Sequence, residues 1–248
     1  CSTNKQFNTE TRNKMLKFET VNELTLKVTC SGSDVLFTKA GAFIAGENTG
    51  AKNYTFEKVL FGPQNNIGQA IFGQLVRRVT GENLPLMKVN LNGDSVTYYA
   101  NYGQHIVVYH LAEGETVSVE SENILAFTQD CDYSVRFIGV GILSQKGLAT
   151  STLTAKGPNA YVAVLADGNP IVLSNVSSGS TISIDPDAVV CWIGKGHCDP
   201  QVTADVSWKT FIGQTSGESY QFEWHGSTGV TVIIQPSERK GGIDVGID

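Results

Sequence analysis

The residues of this chain best suited to chemistry lie in "CWIGKGHCD", where Cys191, His197, Cys198 and Asp199 fall within nine positions. Thiolate sulfur and imidazole are the ligands that tetrahedral zinc prefers, and glycines at 194 and 196 could bend the loop enough to gather Cys191, His197 and Cys198. No second C-x-x-C pair supports the site. A Cys191–Cys198 disulfide and a pair of free thiols are the other readings, and the thiols are the expectation. Three tryptophans, Trp192, Trp208 and Trp224, cluster in the last quarter of the sequence. They fill a core, or they stack a planar ligand.

Other constellations are weaker still. The four histidines contain no H-x-H pair, and His105 and His110, an odd number apart, point to opposite faces of a regular strand, so an oxygenase iron site is not expected. There is no G-x-S-x-G elbow. Glu113 with Glu115, and Glu120 with Glu122, alternate with apolar residues as on a solvated strand face rather than as an acid/base pair. The sequence therefore suggests no catalytic residues and no cofactor.

These residues belong to a chain of 248, with 41% hydrophobic and 17% charged residues, enough to bury a large core. Twenty-six glycines against seven prolines, with no apolar run long enough to span a bilayer as a helix, point to turn-rich β structure. A net charge of −6 argues against a phosphate-binding surface, and nucleic acid is not an expected partner. Five cysteines are an odd number in a chain that needs no staples, which suggests reduced thiols and a cytoplasmic setting. Cys1 heads the polar stretch "CSTNKQFNTETRNKML". It reads as a lipidated cysteine, which would anchor the protein to a membrane, or equally as a residue of a tag.

The elements that position these residues repeat. From Gly114, apolar residues fall at Val117 and Val119 and then at Ile124 to Phe127. The same offsets from Gly179 give Ile182, Ile184 and then Val189 to Trp192; from Gly32 they give Val35, Phe37 and Ala42 to Ala45. A glycine turn, a short strand, a second turn and an apolar strand follow each copy, in "GENLPLMKVNLNGDSVTYYA", "GLATSTLTAKGPNAYVAVL" and "GESYQFEWHGSTGVTVII". Period-two alternation followed by a buried run is a strand signature, and its recurrence predicts modules that pack on one another. Cys191 takes the place of Ala126 in this scheme, as a core filler.

The spacing is uneven, 82 residues from Gly32 to Gly114 and 65 from Gly114 to Gly179. The excess holds the one convincing helical stripe, Ile67, Ile71, Leu75 and Val79, with Arg77 and Arg78 beside it. A helix over 67–79 would cover an open end of the sheets, or dock on a partner protein or an anionic membrane surface through Ile71, Leu75, Arg77 and Arg78.

The run "VVYHLAEGETVSVESENILAF", the glycine-rich segment leading into "RRVTGENL" and the closing "SGESYQFEWHGSTGVTVIIQPSE", with its Gly226, Gly229 and Gln235, resemble the altered-inheritance-of-mitochondria number twenty-four family, also classed as tryptophan-RNA-binding-attenuator-like. The resemblance spans about residues 16–238. It implies an all-β fold of repeated double-sheet modules, known in bacteria and, in fungal mitochondria, in an inner-membrane organisation factor. It implies no reaction. The attenuator's RNA and tryptophan sites do not carry over, because this chain is acidic and lacks a matching basic edge.

Together these readings predict an all-β protein of three repeated β-sandwich or barrel-like modules about a pseudo-threefold axis with one short helix. The expected organisation is a polar leader at 1–15, modules at 16–103, 104–166 and 167–236, and a tail at 237–248. The expected role is that of a structural or interaction protein forming homo-oligomers. A small-ligand-binding module with a pocket at the module junctions is the alternative, and a metal-dependent enzyme a distant third.

Overall fold

The structure is a computed structural model that describes residues 15–48, 50–59, 86–138, 148–196, 198–203 and 221–236. Its nineteen strands are β1 (Met15–Asn22), β2 (Thr25–Ser31), β3 (Ser33–Lys39), β4 (Phe43–Asn48), β5 (Tyr54–Lys58), β6 (Leu86–Asn92), β7 (Ser95–Tyr99), β8 (His105–His110), β9 (Glu115–Val119), β10 (Ile124–Thr128), β11 (Cys131–Ile138), β12 (Leu148–Ala155), β13 (Tyr161–Ala166), β14 (Ile171–Ser174), β15 (Ile182–Ile184), β16 (Val189–Lys195), β17 (Gln201–Thr203), β18 (Gln221–Trp224) and β19 (Thr231–Ile234). Helix among the described residues is limited to two single 3-10 turns, Ser121–Asn123 and Pro186–Ala188. The helix expected over 67–79, with Ile71, Leu75, Arg77 and Arg78, lies outside the described residues, as do Cys1 and the tail at 237–248. The all-β expectation holds.

Among the described residues every pairing is antiparallel, and the strands form four sheets. The first is ordered β1-β2-β7-β4, the second β5-β6-β3-β10-β13-β8, the third β11-β12-β9-β16-β19-β14 and the fourth β15-β18-β17. Short glycine turns carry the chain from one sheet to the next, from β2 to β3, from β8 to β9 and from β14 to β15. Gly32, Gly114 and Gly179, the three origins of the sequence pattern, all take left-handed backbone, with φ of 95°, 78° and 63°. An L side chain is disfavoured there, which is why glycine marks each turn.

Between the long sheets the side chains form three cores. Leu26, Val28 and Tyr99 of the first sheet meet Leu36, Leu91, Leu125 and Leu165 of the second. On the other side of the second sheet, Phe127, Val162 and Val164 meet Val117, Val119, Leu153 and Cys191 of the third. A third core joins Val189, Trp192 and Val232 to Ile182, Ile184, Phe222 and Trp224 of the fourth sheet. β13 shows the consequence for sequence. Its residues alternate between two cores, so "YVAVLA" reads as a continuous apolar run rather than as an alternation.

Each apolar run after the glycine motif enters its sheet through a bulge. Register shifts between Ile124 and Ala126 against β13, between Val189 and Cys191 against β19, and between Phe43 and Ala45 against β7. The extra residue lets consecutive apolar side chains reach cores on both faces. Measured from these bulges, the copy starting at Gly32 runs one residue later than the sequence offsets predict. Its buried positions in β3 are Asp34, Leu36 and Thr38, whereas Val35 and Phe37 are half-buried.

Candidate functional site

Cys191 and Trp192 are neighbours on β16 and face opposite ways. Cys191 is fully buried between the second and third sheets, while Trp192 enters the third core with Cys198. Cys30, Cys131, Cys191 and Cys198 are all buried thiols that form no disulfide with one another. Burial pushes the Cys191 and Cys198 thiols up, and takes Cys131 from an ordinary 9.0 to about 11. A thiol held protonated in an apolar setting is a poor nucleophile and a poor metal ligand. His197, the third member of the expected zinc set, lies outside the described residues. Among the described residues no group of three or more His, Cys, Asp or Glu side chains is placed to hold a metal ion.

The tryptophans are placed in the same way. Trp192 and Trp224 pack with ring centroids 5.8 Å apart at 57°, and Phe222 meets Trp224 edge-on. Trp224 is 1% exposed, and its indole N–H donates to the Cys198 carbonyl at 2.9 Å. That bond ties the loop after β16 to β18. Trp192 is also buried, but its N–H finds no acceptor among the described residues. Trp208 lies outside the described residues.

One polar constellation escaped the sequence reading. Arg136 on β11 donates two hydrogen bonds to Asp199, at 2.8 and 2.5 Å, and one to the Ser118 hydroxyl on β9 at 2.8 Å. Two parallel N–H donors on one carboxylate fix orientation as well as distance. The pair clamps the Cys198 loop onto the polar face of the third sheet, where Ser118, Thr150 and Thr152 are buried. No signal in the sequence links residues 63 apart; only the strand register brings them together.

A cavity of about 340 Å³ opens where β2 and β4 end and β7 begins, lined by Thr29, Cys30, Ser31, Glu47, Asn48, Asp94, Ser95 and Val96. Its carboxylates are already engaged: Tyr98 donates to Glu47 at 2.7 Å, and Ser31 to Asp94 at 3.0 Å. Trp192 and Trp224 do not border it. No described helix is long and apolar enough to cross a membrane.

The fold is similar to that of a solved protein, SPYM3_0169 from Streptococcus pyogenes, with a TM-score of 0.62 and 18% sequence identity over 91% of this chain and 94% of that one. At that identity the likeness is one of fold. No curated protein matches the chain. The family described as Mitochondrial biogenesis AIM24 matches residues 18–237, nearly the whole of the described structure, and the chain belongs to that family.

Proposed function

We propose that this chain is a non-enzymatic structural or interaction protein, made of three repeated modules at 16–103, 104–166 and 167–236 about a pseudo-threefold axis, and that it acts as a rigid block associating with further copies of itself. The observation that carries this reading is the sheet order. The second sheet is the half β5-β6-β3 joined to the half β10-β13-β8; the third is β11-β12-β9 joined to β16-β19-β14. Each half holds strands of one module, and each sheet joins a module to the next. The same two kinds of half recur at the ends of the chain, as β17-β18-β15 and β4-β7-β2. The bulge and the left-handed glycine recur with them.

The interaction role is supported by where the side chains go. The described thiols and tryptophans are used up in the cores. Some apolar sheet edge faces solvent: Ile44 on β4, and Ile171 and Val172 on β14, are between 49% and 55% exposed. Exposed edges of this kind are covered in most proteins, and pairing with another chain is one way to cover them. Four buried reduced thiols fit a cytoplasmic setting, with a lipid on Cys1 as the route to a membrane surface.

Native mass spectrometry of the intact chain tests the proposal. A discrete oligomer is expected, with no change in mass on adding a chelator. A monomer that releases a metal to the chelator would contradict it.

A further inference from the structure

The strands of the first repeat differ from their counterparts at a few positions that lie together in space. Past the bulge, the place held by Phe127 in β10 and by Trp192 in β16 is held in β4 by Gly46. A Cβ built at Gly46 would lie 2.5 Å from the Tyr54 hydroxyl oxygen and 2.6 Å from two carbons of its ring, so the missing side chain is what makes room for that phenol. The first bulge residue is aliphatic in β10 and β16, as Ile124 and Val189, but is Phe43 in β4. On β5 the register sets Phe56 across from Val89 and Leu36, as Tyr133 is set across from Leu153 and Val117. Phe56 therefore takes the place of Tyr133, and Tyr54 that of Cys131.

The result is a corner of three aromatic rings. Phe43, Tyr54 and Phe56 have centroids between 4.9 and 5.6 Å apart, and Phe56 stands at 65° to Phe43 and at 68° to Tyr54. β4 ends the first sheet and β5 ends the second, which puts the corner at the edge of the first sandwich, with Phe43 and Phe56 half-buried. A cation already sits in it. Lys52, from the loop between β4 and β5, holds its Nζ 4.8 Å from the centre of the Tyr54 ring and 5.4 Å from that of Phe56. The face of an aromatic ring carries negative potential, and two rings near a right angle direct theirs at one point.

We propose that this corner binds a trimethylammonium group, which displaces the Lys52 ammonium and takes its place between the Tyr54 and Phe56 rings. The charge of the occupant is argued from Lys52, which shows that the rings accept a cation at this point. Its methylation is argued from hydration. A lysine ammonium is compact and strongly hydrated, so it gives up much of its water to lie on a ring, whereas a quaternary ammonium presents methyl groups to the ring and keeps its charge. Lys52 itself is exposed, so once displaced it returns to water on its own loop. The site goes beyond the structural role proposed above and does not depend on the number of copies in the assembly.

Titration of the intact chain with choline chloride, followed by NMR of the aromatic ring resonances, tests the site. Saturable shifts of the Tyr54 and Phe56 rings are expected. Lys52→Ala removes the built-in competitor from an exposed position and should tighten choline binding about fivefold, while Phe56→Leu, which keeps an apolar side chain without a ring face, should weaken it about tenfold. The uncharged analogue 3,3-dimethylbutanol has the same shape and should not compete. Phosphatidylcholine vesicles identify the source of the group: sedimentation of the chain with them, lost in Phe56→Leu, assigns it to a lipid head group, and binding of free choline without sedimentation assigns it to a soluble compound. Absence of saturable shifts in both the unaltered chain and Lys52→Ala would overturn the proposal. So would equal binding of the uncharged analogue, or choline binding unchanged in Phe56→Leu.

Discussion

The thiols define this protein at the scale of the residue, because all four described cysteines are buried. Desolvation disfavours the thiolate, so Cys131, Cys191 and Cys198 stay protonated in the fold through the range where an unfolded chain would ionise them. The sign follows from proton linkage. The unfolded state binds fewer protons than the folded one above the ordinary thiol value, so the stability tied to Cys131 is complete below about pH 9 and is lost as the pH rises through about 11. Chemical denaturation across that range should show stability falling with alkali. A thiol reagent at pH 8 should find these three cysteines unreactive until denaturant is added; rapid labelling of Cys191 in the native protein would contradict its placement.

Turns and bulges decide the outcome at the scale of the element. Gly226 leads the turn between β18 and β19, and a Cβ built there would collide with the backbone carbonyl of Gly179, an atom that cannot swing aside. Asn175 holds the same corner: its amide accepts from the Val230 N–H at 2.8 Å and donates to the His225 carbonyl at 3.0 Å. Gly226→Ala should therefore cost about 3 kcal/mol or more, within the range of changes that disrupt a special backbone position, and a thermal melt would measure it. The sequence reading singled out this glycine for its place in the closing block, and the glycines and apolar runs were legible because a turn and a strand each impose a local pattern. The bulges were not. A single extra residue in the first copy leaves the hydrophobic spacing almost unchanged, so Val35 and Phe37 look like core while Leu36 and Thr38 fill it. The Arg136–Asp199 clamp was invisible for a related reason: it depends on the register of β11, β12 and β9, which no local signal sets.

The whole molecule is a stack in which each long sheet serves two cores, and this explains why strands such as β10, β13 and β16 carry almost no polar residues. It also explains why the residues that looked chemical in the sequence lie buried in cores where the structure describes them. A run such as "VVCWIG" supplies two cores in turn, so a cysteine and a tryptophan fall side by side without sharing a site. The seams between half-sheets, β3 with β10 and β9 with β16, are the joints of this stack. Amide hydrogen exchange of the native protein tests them most directly. Protection at the β3–β10 and β9–β16 seams should be high, and well above that of the edge strands β5 and β14. If the two seams exchange as fast as those edge strands, the joining of half-sheets into shared six-stranded sheets is wrong.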